Sequence, residues 1–349
     1  MKASRTRFNR DQTILTTFDA GRLIPFYVDE VLPGDTFSVD TAAIIRMTTP
    51  KYPVMDDSFI DFYYFFCPNR ILWDNFKYFM GEVEETPWMP TRLDNATSAT
   101  INQLRQAISV QQYYEALARG GSRYREQVKA IWDVIISDKT MQVPEYLGGG
   151  RYHVNINQIV QTSGQQTSND TPIGETGAMS VTPINESSFT KSFEEHGFVI
   201  GVCCVRHSRS YQQGLERFWS RKDSLDYYVP QFANLGEQPV KKKEIMLTGD
   251  TTDDETFGYQ EAWADYRMKP NRVSGLMRSN ATGTLDFWHY ADNYSKVPTL
   301  SQEWMAEGKA EIARTLIVEN EPQFFGAIRV ANKTTRRMPL YSVPGLYKL

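Results

Sequence analysis

The sequence predicts a mainly β protein whose strands pack in two layers, as in an antiparallel jelly roll, with long loops between the strands. Residues 58–70, SFIDFYYFFCPNR, place apolar side chains on both faces of a strand after Asp61, so this strand must be covered on both sides. Residues 37–47 place Phe37, Val39, Thr41, Ala43, Ile45 and Met47 at every second position, the pattern of a half-buried strand. The remaining strand candidates are short, unevenly spaced and without an internal repeat, which fits a jelly roll better than a propeller or an immunoglobulin-like sandwich.

The strand candidates can be placed in chain order. Residues 23–32 indicate an edge strand, because Pro25 lacks the amide proton that a central strand donates. Pro68 ends the central strand for the same reason. The other predicted strands are 154–160, 193–205, 243–247, 285–289, 312–318 and 324–330. Residues 148–150 are predicted as a flexible glycine turn, 163–188 as a polar connection and 211–220 as a short helix.

Residues 100–136 predict a pair of helices inserted into this β framework. Thr100 and Gln103 match the capping-box pattern at the start of the first helix. Gly120 and Gly121 end that helix, and Ser122 can cap a second one. The apolar residues that follow helical spacing in the first helix are Ile101, Leu104, Ile108, Tyr114 and Leu117.

Composition restricts the function classes. The net charge of −4 and the pI of about 5.7 exclude a uniformly basic nucleic-acid binder, so any such contact needs local patches. Three cysteines cannot form a disulfide framework, and we expect reduced thiols and folding inside a cell. The N-terminal residues lack the apolar core of a signal peptide, and no apolar run is long enough to span a membrane.

Local basic clusters remain candidates for phosphate contact. The first is an N-terminal arm, residues 1–17, for which contact and simple disorder are equally compatible interpretations. The second precedes a predicted strand, where lysines also serve to protect an exposed edge. The residues of these clusters and of a third near the C-terminal end are Lys2, Arg5, Arg7, Arg10, Lys241, Lys242, Lys243, Arg336 and Arg337.

No catalytic or metal-binding pattern emerges. The four histidines form no ligand motif, and the nearest candidate, Glu194 with His196, is a pair where three convergent ligands are needed. Nucleophile-elbow, phosphate-loop and paired-cysteine motifs do not occur. The acidic residues 250–255 miss the spacing of a calcium loop and are interpreted as a solvated loop. We expect no enzymatic activity, no cofactor and no metal.

Long segments of the chain resemble one family from end to end. The segments include TTFDAGRLIPFYVDEVLPGDTF (16–37), PVMDDSFIDFYYFFCPNRILWDNF (53–76), YQQGLERFWSR (211–221), FGYQEAWADYRMKPNRVSGLMRS (257–279), LDFWHYAD (285–292) and MPLYSVPGL (338–346). They occur in order and resemble the major capsid proteins of microviruses, the small single-stranded DNA phages, and specifically their gokushovirus branch.

The resemblance implies one jelly-roll domain over residues 1–349, eight-stranded, antiparallel and of the viral capsid type. It implies a T=1 icosahedral shell of about sixty copies around circular single-stranded DNA. Further partners implied are small DNA-binding proteins, pilot or minor virion proteins and a host surface receptor, without membrane insertion. The expected location is the virion, assembled in the bacterial cytoplasm.

Within that resemblance, the basic residues named above are expected to face DNA. Seven other residues are expected at contacts between subunits: Ile108, Tyr114, Leu117, Trp88, Tyr146, Tyr227 and Tyr228. One departure stands out, because residues 83–98 are much shorter than the family's corresponding segment. The alternative hypothesis is a jelly-roll glycan-binding module, whose exposed loop aromatics would contact sugars.

Overall fold

The computed structural model describes residues 5–80, 101–121, 124–136, 143–160, 176–233, 236–306, 308–318 and 321–341. The protein is mainly β. The strands are β1 Arg5–Asn9, β2 Gln12–Phe18, β3 Ile24–Val31, β4 Thr36–Met47, β5 Ser58–Pro68, β6 Glu145–His153, β7 Ile156–Val160, β8 Thr176–Ser192, β9 Gly197–His207, β10 Ser210–Tyr211, β11 Glu237–Lys241, β12 Thr256–Glu261, β13 Asn271–Arg272 and β14 Phe324–Arg337. The α-helices are α1 Asn69–Leu72, α2 Phe76–Phe79, α3 Ile101–Gly120, α4 Tyr124–Trp132, α5 Lys242–Ile245, α6 Ala264–Arg267, α7 Gln302–Met305 and α8 Lys309–Ala313.

Two antiparallel sheets form the framework. Sheet A has the order β1–β14–β4–β8–β7, with β2 also paired to β14. Because β1 pairs with residues 333–337 and β2 with residues 324–330, the N-terminal segment runs along one edge of sheet A. Sheet B has the order β3–β9–β5–β6, so the predicted edge position of residues 23–32 is confirmed. These antiparallel sheets are compatible with a jelly roll.

The core lies between the two sheets and is built on β5. Ile60, Phe62, Tyr64 and Phe66 point to one side and are all buried. The Tyr64 ring meets Phe189 of β8 at a centroid distance of 5.3 Å. Its hydroxyl is 2.7 Å from the Thr41 hydroxyl of β4, so a buried polar group is satisfied across the sheet interface. The predicted central position of this strand is therefore confirmed, but only one of its two faces is fully covered, since Phe59, Tyr63 and Phe65 on the other face are half-buried.

The prediction of a glycine turn at residues 148–150 is wrong, because these residues belong to β6 and pair with β5. A Cβ atom added to Gly149 would lie 2.0 Å from the carbonyl oxygen of Phe62. Glycine is thus used here to let two strands approach closely. In the sequence alone a run of glycines suggests a turn, because the pairing of these residues with β5 is not visible there.

Several short apolar segments also differ from their predictions. The strands predicted at 243–247, 285–289 and 312–318 are wrong. The first stretch holds most of α5, the second a 3₁₀ turn, and the third the end of α8 followed by a turn. Residues 211–220 end in a 3₁₀ turn instead of forming one helix. Part of the predicted connection 163–188 belongs to β8, which begins at Thr176.

The two helices predicted between residues 100 and 136 are present as α3 and α4. Gly121 follows α3 with a φ of +111°, a left-handed conformation that glycine adopts without strain. Tyr124 at the start of α4 donates its hydroxyl proton toward the ring nitrogen Nδ1 of His196, at 2.7 Å. This contact attaches α4 to the end of sheet B.

Replacing Gly149 with alanine tests the close approach of β6 to β5. We expect the free energy of unfolding to fall by about 1–3 kcal/mol, because the added methyl group has no space. Gly177→Ala is the matched control, since a Cβ on this strand glycine would meet its nearest atom at 3.8 Å. Equal denaturant midpoints for the two variants would contradict the interpretation.

Candidate nucleic-acid and subunit-contact surfaces

The face of sheet B that points away from the core combines aromatic rings with one ion cluster. Asp61 of β5 is buried and lies between arginines from both neighbouring strands. Arg151 of β6 donates from Nε to Asp61 Oδ1 at 2.7 Å. Arg206 of β9 donates to Asp61 Oδ2 and also to the Tyr63 hydroxyl. The cluster therefore links three strands through one carboxylate.

Burial alone would raise the pKa of Asp61, but hydrogen bonds and charge from Arg151 and Arg206 outweigh it and lower the pKa. The carboxylate is therefore charged at neutral pH. Because the pKa is lower in the folded state, the stabilisation is complete above the ordinary aspartate pKa of about 3.9 and is lost as the pH falls through the folded value.

Aromatic side chains surround this cluster on the same face. Phe59, Tyr63 and Phe65 are half-buried, and Tyr146 of β6 is 57% exposed. The ring of Tyr146 lies 5.7 Å from that of Phe65. Tyr63, Phe65 and Tyr146 contact one another, and Phe59 lies beyond the ion cluster. We call this side of β5 and β6 the aromatic face. Tyr146, predicted as a subunit contact, lies on it.

Two of the predicted DNA-facing residues point into the molecule. Arg10 forms an ion pair with the buried Asp29 at 2.5 Å, in a network with Tyr27 and Asn332. The pKa of Tyr27 is raised by burial and by the charge of Asp29. Arg336 binds the fully buried Asp35 through both Nε and a terminal nitrogen. Arg10 therefore links the N-terminal segment to β3 of sheet B, and Arg336 holds the turn before β4 and also donates to the Glu30 carbonyl of β3.

The lysine cluster 241–243 is compensated within the chain. Lys241 and Lys243 both bind Asp254, at 3.0 and 2.7 Å, and Lys242 binds Glu255 at 2.6 Å. Hydrogen bonds and charge from Lys243 and Lys241 lower the pKa of Asp254 to about 2. The acidic loop predicted as solvated thus neutralises most of the positive charge of this cluster.

The other predicted cations lie on the outward face of sheet A. Arg5 and Arg7 are exposed on β1, while Arg337 of β14 binds the carbonyl of Trp132 and pairs with Asp133. Sequence analysis missed three further cations on this face, Arg46, Arg329 and Lys333. The alternating pattern of β4 and β14 placed them on one side of each strand, but the pairing of the strands was not predictable.

The predicted subunit-contact residues are dispersed. Ile108 and Tyr114 are exposed on α3, at 38% and 59%, and Leu117 is half-buried near its end. Tyr227 and Tyr228 are exposed on a loop near α6, where Arg221 lies over the Tyr227 ring. Lys2 and Trp88 lie outside the described residues.

The structure gives little support for catalysis. In the described ranges, no three His, Cys, Asp or Glu side chains converge on a point where a metal ion could sit. Glu195 binds Arg70 at 3.0 Å. Burial lowers the pKa of His196 to about 4, so this imidazole is neutral and contacts Tyr124. A cleft of about 340 Å³ near α6 is lined by apolar side chains, among them Phe218, Ile245 and Met268, and by ion pairs such as Arg217 with Glu244 at 2.7 Å.

No helix in the described part of the chain combines the length and hydrophobicity that crossing a bilayer requires.

The profile of the phage family described as capsid protein (F protein) matches residues 1–91 and 86–346. The chain belongs to this family. Curated relatives include the capsid protein VP1 of Chlamydia phage 1, 45% identical over 262 residues, and that of Spiroplasma virus 4, 43% identical over 262 residues. The capsid protein VP1 of Bdellovibrio phage phiMH2K is 28% identical over 513 residues, covering 99% of this chain and 96% of the relative.

The alignments also bear on the short segment. The first two matches cover 73% and 74% of this chain but 44% and 47% of the relatives. The chain thus spans about half the length of these two relatives. The two segments matched by the family profile meet at residues 86–91, inside the region 83–98 that sequence analysis identified as short.

Replacing Asp61 with asparagine tests the ion cluster on sheet B. We expect the free energy of unfolding at pH 7 to fall by about 1–3 kcal/mol. The difference from the original protein should shrink as the pH falls below the ordinary aspartate pKa of about 3.9 toward the lower pKa of the folded state. Asp40→Asn, an exposed change on β4, is the control. A difference that stays constant from pH 7 to pH 3 would contradict the assignment.

Proposed function

We propose that the chain is a structural capsid protein that assembles with copies of itself into a closed T=1 icosahedral shell around circular single-stranded DNA, without enzymatic activity. Membership in the F capsid protein family supports this proposal. The single observation that carries it is the amount of apolar surface that one chain leaves open, on the aromatic face and on α3.

The architecture proposed for the shell protein is one eight-stranded jelly-roll domain over residues 1–349, with α3 and α4 as an inserted helical hairpin. The antiparallel strands of sheets A and B supply the framework. The N-terminal arm, predicted as extended, contributes β1 and β2 to an edge of sheet A. Long insertions add surface without disturbing the core, as surface loops generally tolerate.

Helix α3 is the clearest case of surface that needs a partner. It is a helix of 20 residues, and from Gln106 to Glu115 its side chains are exposed. Ile108, Val110, Tyr113 and Tyr114 are among them. An isolated helix gains little stability from its own hydrogen bonds and depends on packing of an apolar face. A neighbouring subunit that covers α3 would supply that packing.

The same reasoning applies to the aromatic face. Interfaces between permanently associated subunits are enriched in aromatic residues, and Tyr146 with its neighbours Tyr63 and Phe65 offers such a surface. Tyr227, Tyr228, Trp88 and Leu117 remain proposed contacts as well. The location is the virion, after assembly in the bacterial cytoplasm. Small DNA-binding proteins, pilot or minor virion proteins and a host receptor remain proposed partners.

Replacing Ile108 with aspartate tests assembly through α3. We expect the yield of sedimenting particles from expressed full-length chain to fall about tenfold or more, because a charge buried in an interface is strongly unfavourable. The stability of the subunit should change by less than about 0.5 kcal/mol, since the site is exposed in one chain.

Gln112→Asp, at an exposed polar position of the same helix, is the matched control. Sedimentation and negative-stain microscopy give the readout. Normal particle yield from Ile108→Asp would remove α3 from the interface, and a wild-type chain that stays a small sugar-binding species would favour the glycan-binding alternative over a capsid.

A further inference from the structure

We propose that the outward face of sheet A is a binding surface for single-stranded nucleic acid, with Arg7, Arg46, Arg329 and Lys333 as phosphate contacts and Phe325 as a stacking ring. This inference rests on the proposed function, because it assigns the side of the subunit that meets the packaged strand. It differs from an assignment based on runs of basic residues in the sequence.

Strand register brings these cations together from distant parts of the chain. Arg7 of β1 pairs in register with Thr335, and Lys333 of β14 with Asn9, so Arg7 and Lys333 are diagonal neighbours on one face. Arg46 of β4 lies opposite Phe325, four residues along β14 from Arg329. Residues of one strand that differ by an even number point to the same side.

The burial pattern shows that this side faces outward. On β14, the side chains of Phe325, Arg329 and Lys333 are exposed, while those of the adjacent residues Phe324, Ile328 and Val330 are buried. On β4, Ile44 and Arg46 are exposed and Ile45 and Met47 are buried. The cations therefore lie on one accessible side of sheet A.

Like charges are placed close together on this face. Arg7 and Lys333 are diagonal neighbours, and like charges this close on neighbouring strands are destabilising. Two carboxylates offset part of the charge, since Arg337 pairs with Asp133 and Asp40 shares the face opposite Ala331. Arg329 pairs with Asp11 at 3.0 Å, but within the described ranges Arg7, Arg46 and Lys333 show no ion pair. A bound polyanion would relieve this repulsion, and release of its counterions would favour binding.

The apolar part of the face fits bases better than an intact duplex. Leu15, Ala327, Ile44 and Pro183 lie in one row across four strands, and Leu15 is 80% exposed. Phe325, next to this row, is directly paired with Arg46. Exposed sheets that bind single strands use such rings for base stacking and adjacent cations for phosphates. A duplex hides its base faces from contact.

The face is less suited to contact with another copy than the aromatic face is. A copy of this chain carries a net charge of −4 spread over 349 residues, whereas a nucleic-acid strand carries one negative charge per nucleotide.

Binding of a fluorescent oligothymidylate to the full-length chain, measured by anisotropy over a range of salt concentrations, tests the proposal. The variant Arg7→Glu, Arg46→Glu, Lys333→Glu should bind at least about tenfold more weakly, and the slope of log affinity against log salt should fall by about 2, near 0.7 per lost phosphate contact. Phe325→Ala should weaken binding about tenfold with an unchanged salt slope.

The control variant is Arg278→Glu with Lys296→Glu, which reverses two exposed cations outside sheet A. A second triple variant, Arg7→Gln, Arg46→Gln, Lys333→Gln, removes the positive charges without introducing negative ones. Circular dichroism checks that both triple variants are folded. Triple-variant binding within twofold of the original would overturn the proposal. So would unchanged oligothymidylate binding accompanied by altered self-association, because the face would then contact another copy.

Particles made in cells separate this inference from the proposed function. If particles of the triple variant contain as much DNA as wild-type particles, the surface assignment is overturned and the capsid function stays intact. A wild-type chain that forms no particles but binds oligothymidylate through this face would support the surface assignment and contradict the capsid function.

Discussion

The packing of β5 against sheet A through Tyr64 is the constraint on which the rest of the structure depends. The Tyr64 ring is fully buried and touches Phe26 and Tyr27 of sheet B and Phe189 of sheet A. Its hydroxyl forms a hydrogen bond with the hydroxyl of Thr41 across the interface between the two sheets. A shift of β5 by one residue would put Asp61 and Tyr63 into the core. The register of sheet B is therefore fixed, and with it the face that carries the Asp61 cluster.

Elements with a strong, long pattern could be predicted from the sequence, and short ones could not. β4 and β5 were predictable because their alternation or two-sided hydrophobicity extends over 11 or 12 residues. Short, mostly apolar stretches of five to seven residues, such as 312–318, fit a strand and a buried helix equally well. β8 was missed in part because polar residues occupy much of its outward face, which resembles a loop when its partner β4 is ignored.

The candidate sites show the same limit in terms of charge. The adjacent residues Lys241, Lys242 and Lys243 looked like the densest cationic patch, yet Asp254 and Glu255 compensate them from across a loop. Arg10 and Arg336 also looked available and instead neutralise buried carboxylates. The density of basic residues along the sequence reveals neither the net charge of a surface nor the exposure of its side chains. Both depend on which distant residues folding brings together.

The outward faces of sheet A and sheet B differ in charge, and under the proposed function this difference reconciles an acidic chain with a polyanionic partner. On the aromatic face of sheet B, the buried carboxylate of Asp61 is shared by Arg151 and Arg206, so this cluster keeps a single excess positive charge beside the aromatic rings. The cations of sheet A are concentrated on the opposite side of the core. Exposed charges further apart than about 10 Å are largely screened at physiological salt, so the acidic remainder of the chain does not cancel the local attraction. A strand bound on sheet A would in turn lower the repulsion between the cationic faces of neighbouring copies, so that the genome and the shell would stabilise each other through separate surfaces.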